Sequence, residues 1–425
     1  MQRAGRNGSG LITAGMKLSQ GSFPKNPSDG RDDDRQHGMT YTYFDHNATT
    51  AVDDAVLEAM LPYFQRDFGN PSSRHALGMA ARRAVDFARE QVADAVGVQP
   101  SQVIFTSGGS EANNLFIRGA AGYLKPTRVV VSSIEHPCIM RTAQELARGR
   151  GGGWNLRSLE VDSLGRVETG DIDRALLEEQ PGLVSVMLAN NETGVIQDVA
   201  AIAEKFRARG AWVHTDAVQA FGKIPVDFSS LRVHALTISA HKVYGPKGAA
   251  ALIIDKRLLL KPLIHGGGHE QGMRSGTENV PAIVGFGVAC ALAKKRTSEM
   301  AARITEMRAR LEQGLLEMGA VIFGWGASRI PNTCYFALPG IEGDTLVVRL
   351  DKAGFAVASG AACSSVNPGR SHVLEAMGVD ADLTRCAVRV SLGNSNSAVQ
   401  VENFIHAVSS VTQELRRVNM AAVGG

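Results

Sequence analysis

The stretch ISAHKVYGPKG (238–248) places a lysine directly after an apolar run, between Ser239–Ala240–His241 and a Gly245–Pro246 turn. Lys242 therefore stands at the C-terminal end of a strand, where open α/β sheets place ligand sites. A surface lysine in a turn is the ordinary alternative; the flanking hydroxyl and imidazole speak against it. A lysine in a partly desolvated pocket can form a Schiff base with an aldehyde cofactor. WVHTDAVQAFG (212–222) ends a second apolar run on Asp216. Such an aspartate is commonly a helix cap. Its other use is to keep a pyridine nitrogen protonated.

Pyridoxal phosphate needs both a Schiff-base lysine and a carboxylate at its ring nitrogen, and Lys242 with Asp216 supplies the pair. Its phosphate needs a cradle. FTSGGSEANN (105–114) offers a strand, a Gly-rich turn and a helix start, with the N–H groups of Gly109 and Ser110 aimed at an anion. SIEHPCI (133–139) puts His136 after a strand, as a turn histidine or as a ring stacked on the pyridine. NNETG (190–194) puts Asn191 at a strand end, suited to the cofactor ring or the substrate. HGGGHE (265–270) has two histidines, but glycines fill the gap, so no helical metal face exists. We expect a flexible loop there and no metal site.

Of the five cysteines, Cys363 alone lies among Ala, Ser and Gly, in ASGAACSSVNPG (358–369). Small neighbours leave a thiol exposed and mobile, which suits a thiol that is used. Cys138, Cys290, Cys334 and Cys386 lie in or beside apolar segments and read as packed thiols. The odd number and the absence of C-x-x-C argue against a disulfide framework and for a reducing, cytoplasmic setting.

The elements that must position these groups alternate. Strand-like runs fall at 103–106, 128–133, 183–189, 211–216, 235–240 and 249–255, with helical stretches between several of them. That order implies βαβ units and a mostly parallel sheet. A long helical stretch after Pro281 leads to an α+β region: CYFAL, a helix at GDTLVVRLDKAG, the Cys363 loop, CAVRVSL and a final helix near 397–417. With 425 residues, two domains are expected. Residues 1–39 are polar and aperiodic and read as a disordered tail; Asp32, Asp33 and Asp34 argue against a transit peptide. A net charge of +3 points to neither nucleic acid nor a membrane surface.

In order, YFDHNATT, FGNPSS, FTSGGSEANN, EHP, NNETG, HTDAVQ, SAHKVYGPKG, HGGGHEQGMRSGT, SGAACSS and VRVSLG resemble the motif set of NifS/IscS-like cysteine desulfurases, over about residues 43–394. The resemblance implies fold-type I of the pyridoxal phosphate enzymes: a large α/β domain (51–297) with a mostly parallel seven-stranded sheet, and a small α+β domain (40–50 and 298–425). It implies that Lys242 carries the cofactor, Asp216 pairs with the pyridine nitrogen, His136 stacks on the ring and Gln219 binds the ring oxygen. Gly109, Ser110, Ser239 and His241 would hold the phosphate, with Thr277 reaching across a homodimer interface. Asn47, Asn191 and Arg389 would hold the substrate, L-cysteine. Cys363 would take its sulfur as a persulfide and hand it to an acceptor protein, in iron–sulfur cluster assembly or tRNA thiolation. Where the family has SGHK and SGAT, this chain has SAHK and SGGS, and Gly369–Arg370–Ser371–His372 replaces an acidic-Pro-Ser-His run. A selenocysteine lyase on the same scaffold is the alternative within the class. An inactive scaffold for sulfur-transfer partners is the alternative outside it.

Overall fold

The computed structural model describes residues 41–149, 153–359 and 370–423. The expected tail (1–39) and Cys363 lie outside the described residues. Strands follow in chain order: β1 (Thr42–Tyr43), β2 (Val103–Thr106), β3 (Arg128–Ser132), β4 (Asn155–Leu159), β5 (Pro181–Ser185), β6 (Trp212–Asp216), β7 (Ala235–Ser239), β8 (Ala250–Ile254), β9 (Val321–Ile322), β10 (Thr333–Ala337), β11 (Phe355–Ala356), β12 (Ala358–Ser359) and β13 (Ala387–Ser391).

Strands β2 to β8 form one seven-stranded sheet in the order β2-β8-β7-β6-β5-β3-β4. Its neighbours pair in parallel except for β8, which runs antiparallel to both β2 and β7. The sheet is thus mostly parallel, as expected. Its strands are short apolar runs because helices cover both faces. Every residue of β7 and β8 is buried. Parallel strands bring the turns after β2, β3, β5, β6 and β7 to one edge.

Two details differ from the pattern read in the sequence. The edge strand β4, NLRSL, carries no apolar run, because only Leu159 is buried. Regular pairing of the 183–189 run ends at Ser185, although Val186 and Leu188 still donate to the His214 and Asp216 carbonyls.

The stretch after Pro281 is one helix, Val280–Glu317, of 38 residues, capped by Asn279 and with proline in its first turn. Its first half (Val280, Ile283, Phe286, Cys290) packs into the core under the large sheet. Its second half (Ile304, Met307, Leu311, Leu315) enters another core with Phe336, Val390 and Phe404. That second core lies against an antiparallel sheet, β12-β13-β10-β9. Strand β1 pairs with β11, so the segment that leads into Asn47 is tied to the C-terminal third of the chain.

Candidate active site

The edge formed by the parallel strands opens into a cavity of about 250 Å³. Gly109 and Ser110 reach it from the helix that follows β2, and His136 from the turn after β3. Asn191 comes from beyond β5, Asp216 and Gln219 from the end of β6, and Ser239, His241 and Lys242 from the end of β7. Nine side chains or backbone turns singled out from the sequence therefore meet in one place.

The helix Gly109–Ala121 starts at Gly108, which supplies no side-chain cap, so its first N–H groups face the cavity without one. Ser239 Oγ is buried and has no hydrogen-bond partner among the described residues. An anion would satisfy both features. His241 hydrogen-bonds Thr49 Oγ1 (3.2 Å), and burial with the nearby Lys242 charge pushes its imidazole down to about 4. A neutral His241 donates without adding charge.

Asp216 is fixed from two sides. Asn113 Nδ2 donates to its Oδ2 (2.7 Å) and the Val218 N–H to its Oδ1 (2.9 Å). Beneath it on β6, His214 lies between the Ser185 and Thr237 hydroxyls (2.9 Å each) and stacks on Phe116 at 4.8 Å. Burial pushes its imidazole down to about 3. A carboxylate held this way suits a protonated ring nitrogen.

His136 caps the helix Pro137–Arg148: its Nδ1 accepts from the Cys138 N–H (3.2 Å). The neutral ring then carries its proton on Nε2. Burial lowers the imidazole's pKa, which suits a ring that stacks on a heterocycle. Cys138 packs against the core, as its apolar neighbours implied, and also faces the site. Its Sγ is 3.0 Å from His136 Nδ1, accepts from Asn113 Nδ2 (3.2 Å) and lines the cavity. Burial pushes this thiol up to about 12, so it stays protonated. Cys290, Cys334 and Cys386 are buried, as expected.

Lys242 lies in a tight turn directly after β7, where its Nζ donates to the Asn47 and Ala48 carbonyls (2.6 Å each). Asn47 itself stands behind the cavity wall and is 1 % exposed. Its side chain donates to Thr333 Oγ1 (2.8 Å) and the Asn191 carbonyl (3.2 Å). Arg389, on β13, donates to the same Asn191 carbonyl (3.0 Å) and to Asp45 Oδ1 (2.7 Å). Thr277 is exposed and does not reach the cavity of its own chain. The segment expected as a flexible loop is anchored at Glu270, which pairs with Arg89 (2.7 Å) and accepts from the Phe105 N–H (2.8 Å). Among the described residues, no group of three or more His, Cys, Asp or Glu could hold a metal ion.

Three participants escaped the sequence reading: Asn113, Lys223 and Glu135. Glu135 is fully buried beside His136. Its Oε1 accepts from Ser132 Oγ (2.5 Å) and the Met187 N–H (2.6 Å), and burial pushes its carboxyl up to about 8. Asn113 and Glu135 fall inside the motifs FTSGGSEANN and SIEHPCI, which was the only signal available.

A mostly parallel sheet with a lysine, an aspartate, a ring and a helix N-terminus at one edge defines the fold-type I class of pyridoxal phosphate enzymes. The chain matches the aminotransferase class-V family over residues 42–404. It is 38 % identical over 380 residues to the cysteine desulfurase IscS of Methanosarcina thermophila, covering 89 % of this chain and 93 % of that one. A solved NifS-like protein superposes with a TM-score of 0.82 at 37 % identity, over 88 % of this chain and 99 % of that one. SspA, solved in complex with cysteine, superposes with a TM-score of 0.72 at 33 % identity, over 83 % and 98 %. The chain belongs to the class-V aminotransferase family, among its IscS- and NifS-like cysteine desulfurases.

Proposed function

We propose that the chain removes sulfur from L-cysteine, giving L-alanine and a persulfide on Cys363. The observation that carries this reading is the meeting of Lys242, Asp216 and His136 at one cavity in a chain of this family. Pyridoxal phosphate, when bound, supplies an electron sink for the substrate's Cα. The cavity's own groups suit it: the helix N-terminus, Ser239 and His241 for the phosphate, Asp216 for the ring nitrogen and Gln219 for the ring oxygen.

The protein's part is positioning and proton handling. Lys242 moves the Cα proton, which a group at a cavity edge lined with carbonyl acceptors can do. Arg389 and Asn191, joined at the Asn191 carbonyl, orient the substrate carboxylate. The Cys363 sulfur attacks the substrate sulfur. The C–S bond breaks, Cα and Cβ are left as alanine, and Cys363–SH becomes Cys363–S–SH. The persulfide then passes to an acceptor protein. We place the reaction in the cytoplasm on the cysteine usage; among the described residues no helix is long and apolar enough to cross a membrane.

A homodimer completes the reading. Exposed Thr277 sits beside Glu278, which Arg82 meets at 3.3 Å from the helix Ala76–Ala95. The same flank exposes Phe68, Leu77 and Met79, apolar surface suited to a second copy. A monomeric mass for the cofactor-loaded protein would remove that part.

The test is alanine and sulfide released from L-cysteine under a thiol reductant, with Cys363→Ala alongside. The expected result is full activity in the wild type, and cofactor binding with little of either product in the variant. Equal activity in both would mean direct release without the Cys363 thiol.

A further inference from the structure

Lys223 belongs to no motif that carries the chemistry, yet it is 8 % exposed and stands directly behind the cavity. Gly222 makes the turn that sends it inward: φ is +75°, and a Cβ there would lie 2.6 Å from a Val243 methyl. A buried lysine ordinarily meets a carboxylate. This one meets two amide oxygens, Gln219 Oε1 (2.6 Å) and Asn47 Oδ1 (2.8 Å). The charged groups that act on it are cations, Lys242 and Arg389; with burial they push its ammonium well below the usual lysine range. The same amine helps hold the His46 imidazole down. Two acceptors face it, and it donates to both.

An amide side chain has two ends of one shape, and its neighbours decide which way it points. With Oε1 on Lys223, Gln219 turns its NH2 group the other way. One N–H goes to the Asn47 carbonyl (3.0 Å), the carbonyl that Lys242 also uses. Gln219 lines the cavity, so the second N–H is the one left for a ligand. Asn47 is fixed in the same manner, its Oδ1 shared by Lys223 and Asn332 Nδ2 (3.0 Å). We infer that Lys223 is a positioning residue, which locks Gln219 so that a donor, and not its oxygen, faces the bound ligand's ring oxygen. Without it, Oε1 loses its donor and the Asn47 carbonyl alone is left to oppose a turn of the amide that would set oxygen against oxygen. The inference rests on the pyridoxal phosphate reading above.

The experiment is a pH titration of the visible absorbance band of the cofactor-loaded protein, with cofactor affinity by equilibrium dialysis. Variants are Lys223→Met, Gln219→Ala and the double variant. A lost donor to the ring oxygen lets the Lys242–cofactor link hold its proton to higher pH. The expected result is a midpoint raised by about one pH unit in either single variant, the loss of one hydrogen bond to a charged group. The double variant adds nothing further, since both changes act through one contact. Should Lys223→Met not fold, Lys223→Gln keeps a single donor and shifts the midpoint in the same direction by less. A folded Lys223 variant with the wild-type midpoint overturns the inference, as does a double variant whose shift is the sum of the singles. A wild-type chain without a visible band overturns the pyridoxal phosphate reading and this inference together. A normal wild-type band with an unmoved Lys223 variant overturns the positioning role alone.

Discussion

Around Phe404 the chain buries rings against rings; around Asn47 it buries amides, a lysine and backbone carbonyls. Phe44 and Phe355 meet Phe404 edge to face at 5.3 and 5.4 Å, in a core completed by Leu346, Val388 and Val401. Such a core is held by area and shape, and any group of matching volume serves nearly as well. The Asn47 region is held by donors matched to acceptors, and each match is specific. The cavity beside it also contains atoms left unmatched among the described residues, such as Ser239 Oγ and Asn113 Oδ1. The first region supports the structure. The second gives up some stability to keep groups ready for a ligand.

The comparison breaks most readily at its polar end. Lys242→Ala should lower alanine formation by at least roughly 10³-fold while moving the melting temperature far less, since the Asn47 and Ala48 carbonyls it leaves behind lie beside a cavity. A large fall in melting temperature would mean that Lys242 is structural. At the apolar end, Phe404→Ala should cost about 3–5 kcal/mol in urea denaturation, with turnover per folded molecule unchanged. Asp216→Asn keeps the shape and removes the charge, so roughly 10²-fold of activity should go; its oxygen still accepts from the Val218 N–H, and the Asn113 amide keeps its contact by turning its unpartnered Oδ1 to the new NH2 group.

Acid should separate the two regions further. Burial holds His46, His234 and His241 at about 4 and His214 at about 3, against 6.5 for a free imidazole. Between these values the unfolded chain binds more protons than the folded one, so stability falls as pH falls below 6.5. Glu135 acts in the opposite sense, its folded carboxyl keeping a proton between 4.5 and about 8, and Glu192 is shifted in the same direction. The imidazoles outnumber the carboxyls, and a melting temperature that drops from pH 6.5 to 4 is the net expectation. The Phe404→Ala deficit should stay constant over that range, because nothing in its cluster titrates there. The smallest effect is assigned to Cys138→Ala, which removes the thiol beside His136 and should cost about 1 kcal/mol, one hydrogen bond's worth, with alanine formation retained.

Legibility followed the same division. Strands such as β2 and β6 fell within a residue of the expected limits, because apolar runs between turn residues have few other uses. Lys242 and Asp216 were visible because each closes such a run. Strand β4 was hidden by its polar, half-exposed edge position. Lys223, Asn113 and Glu135 were hidden for a deeper reason. A single polar residue in a helix or turn looks alike whether it faces water or the floor of a cavity, and only the tertiary fold decides. Cys138 was read only in part in the same way, since it packs against the core as its apolar neighbours implied while its sulfur also lines the site.

The Asn47 N–H is bonded to Ser391 Oγ, 344 positions further along the chain. At about 5–20 residues per second on the ribosome, roughly 20–70 seconds separate the synthesis of these partners. The large sheet can be complete long before Asn332, Thr333 and Ser391 exist. Until they arrive, Asn47 has nowhere to settle, and neither Lys223 nor Lys242 has its acceptors there. The nascent chain therefore carries its reactive lysine unclasped from the moment that lysine is made, and the chemistry can begin only when the last strand closes over the first.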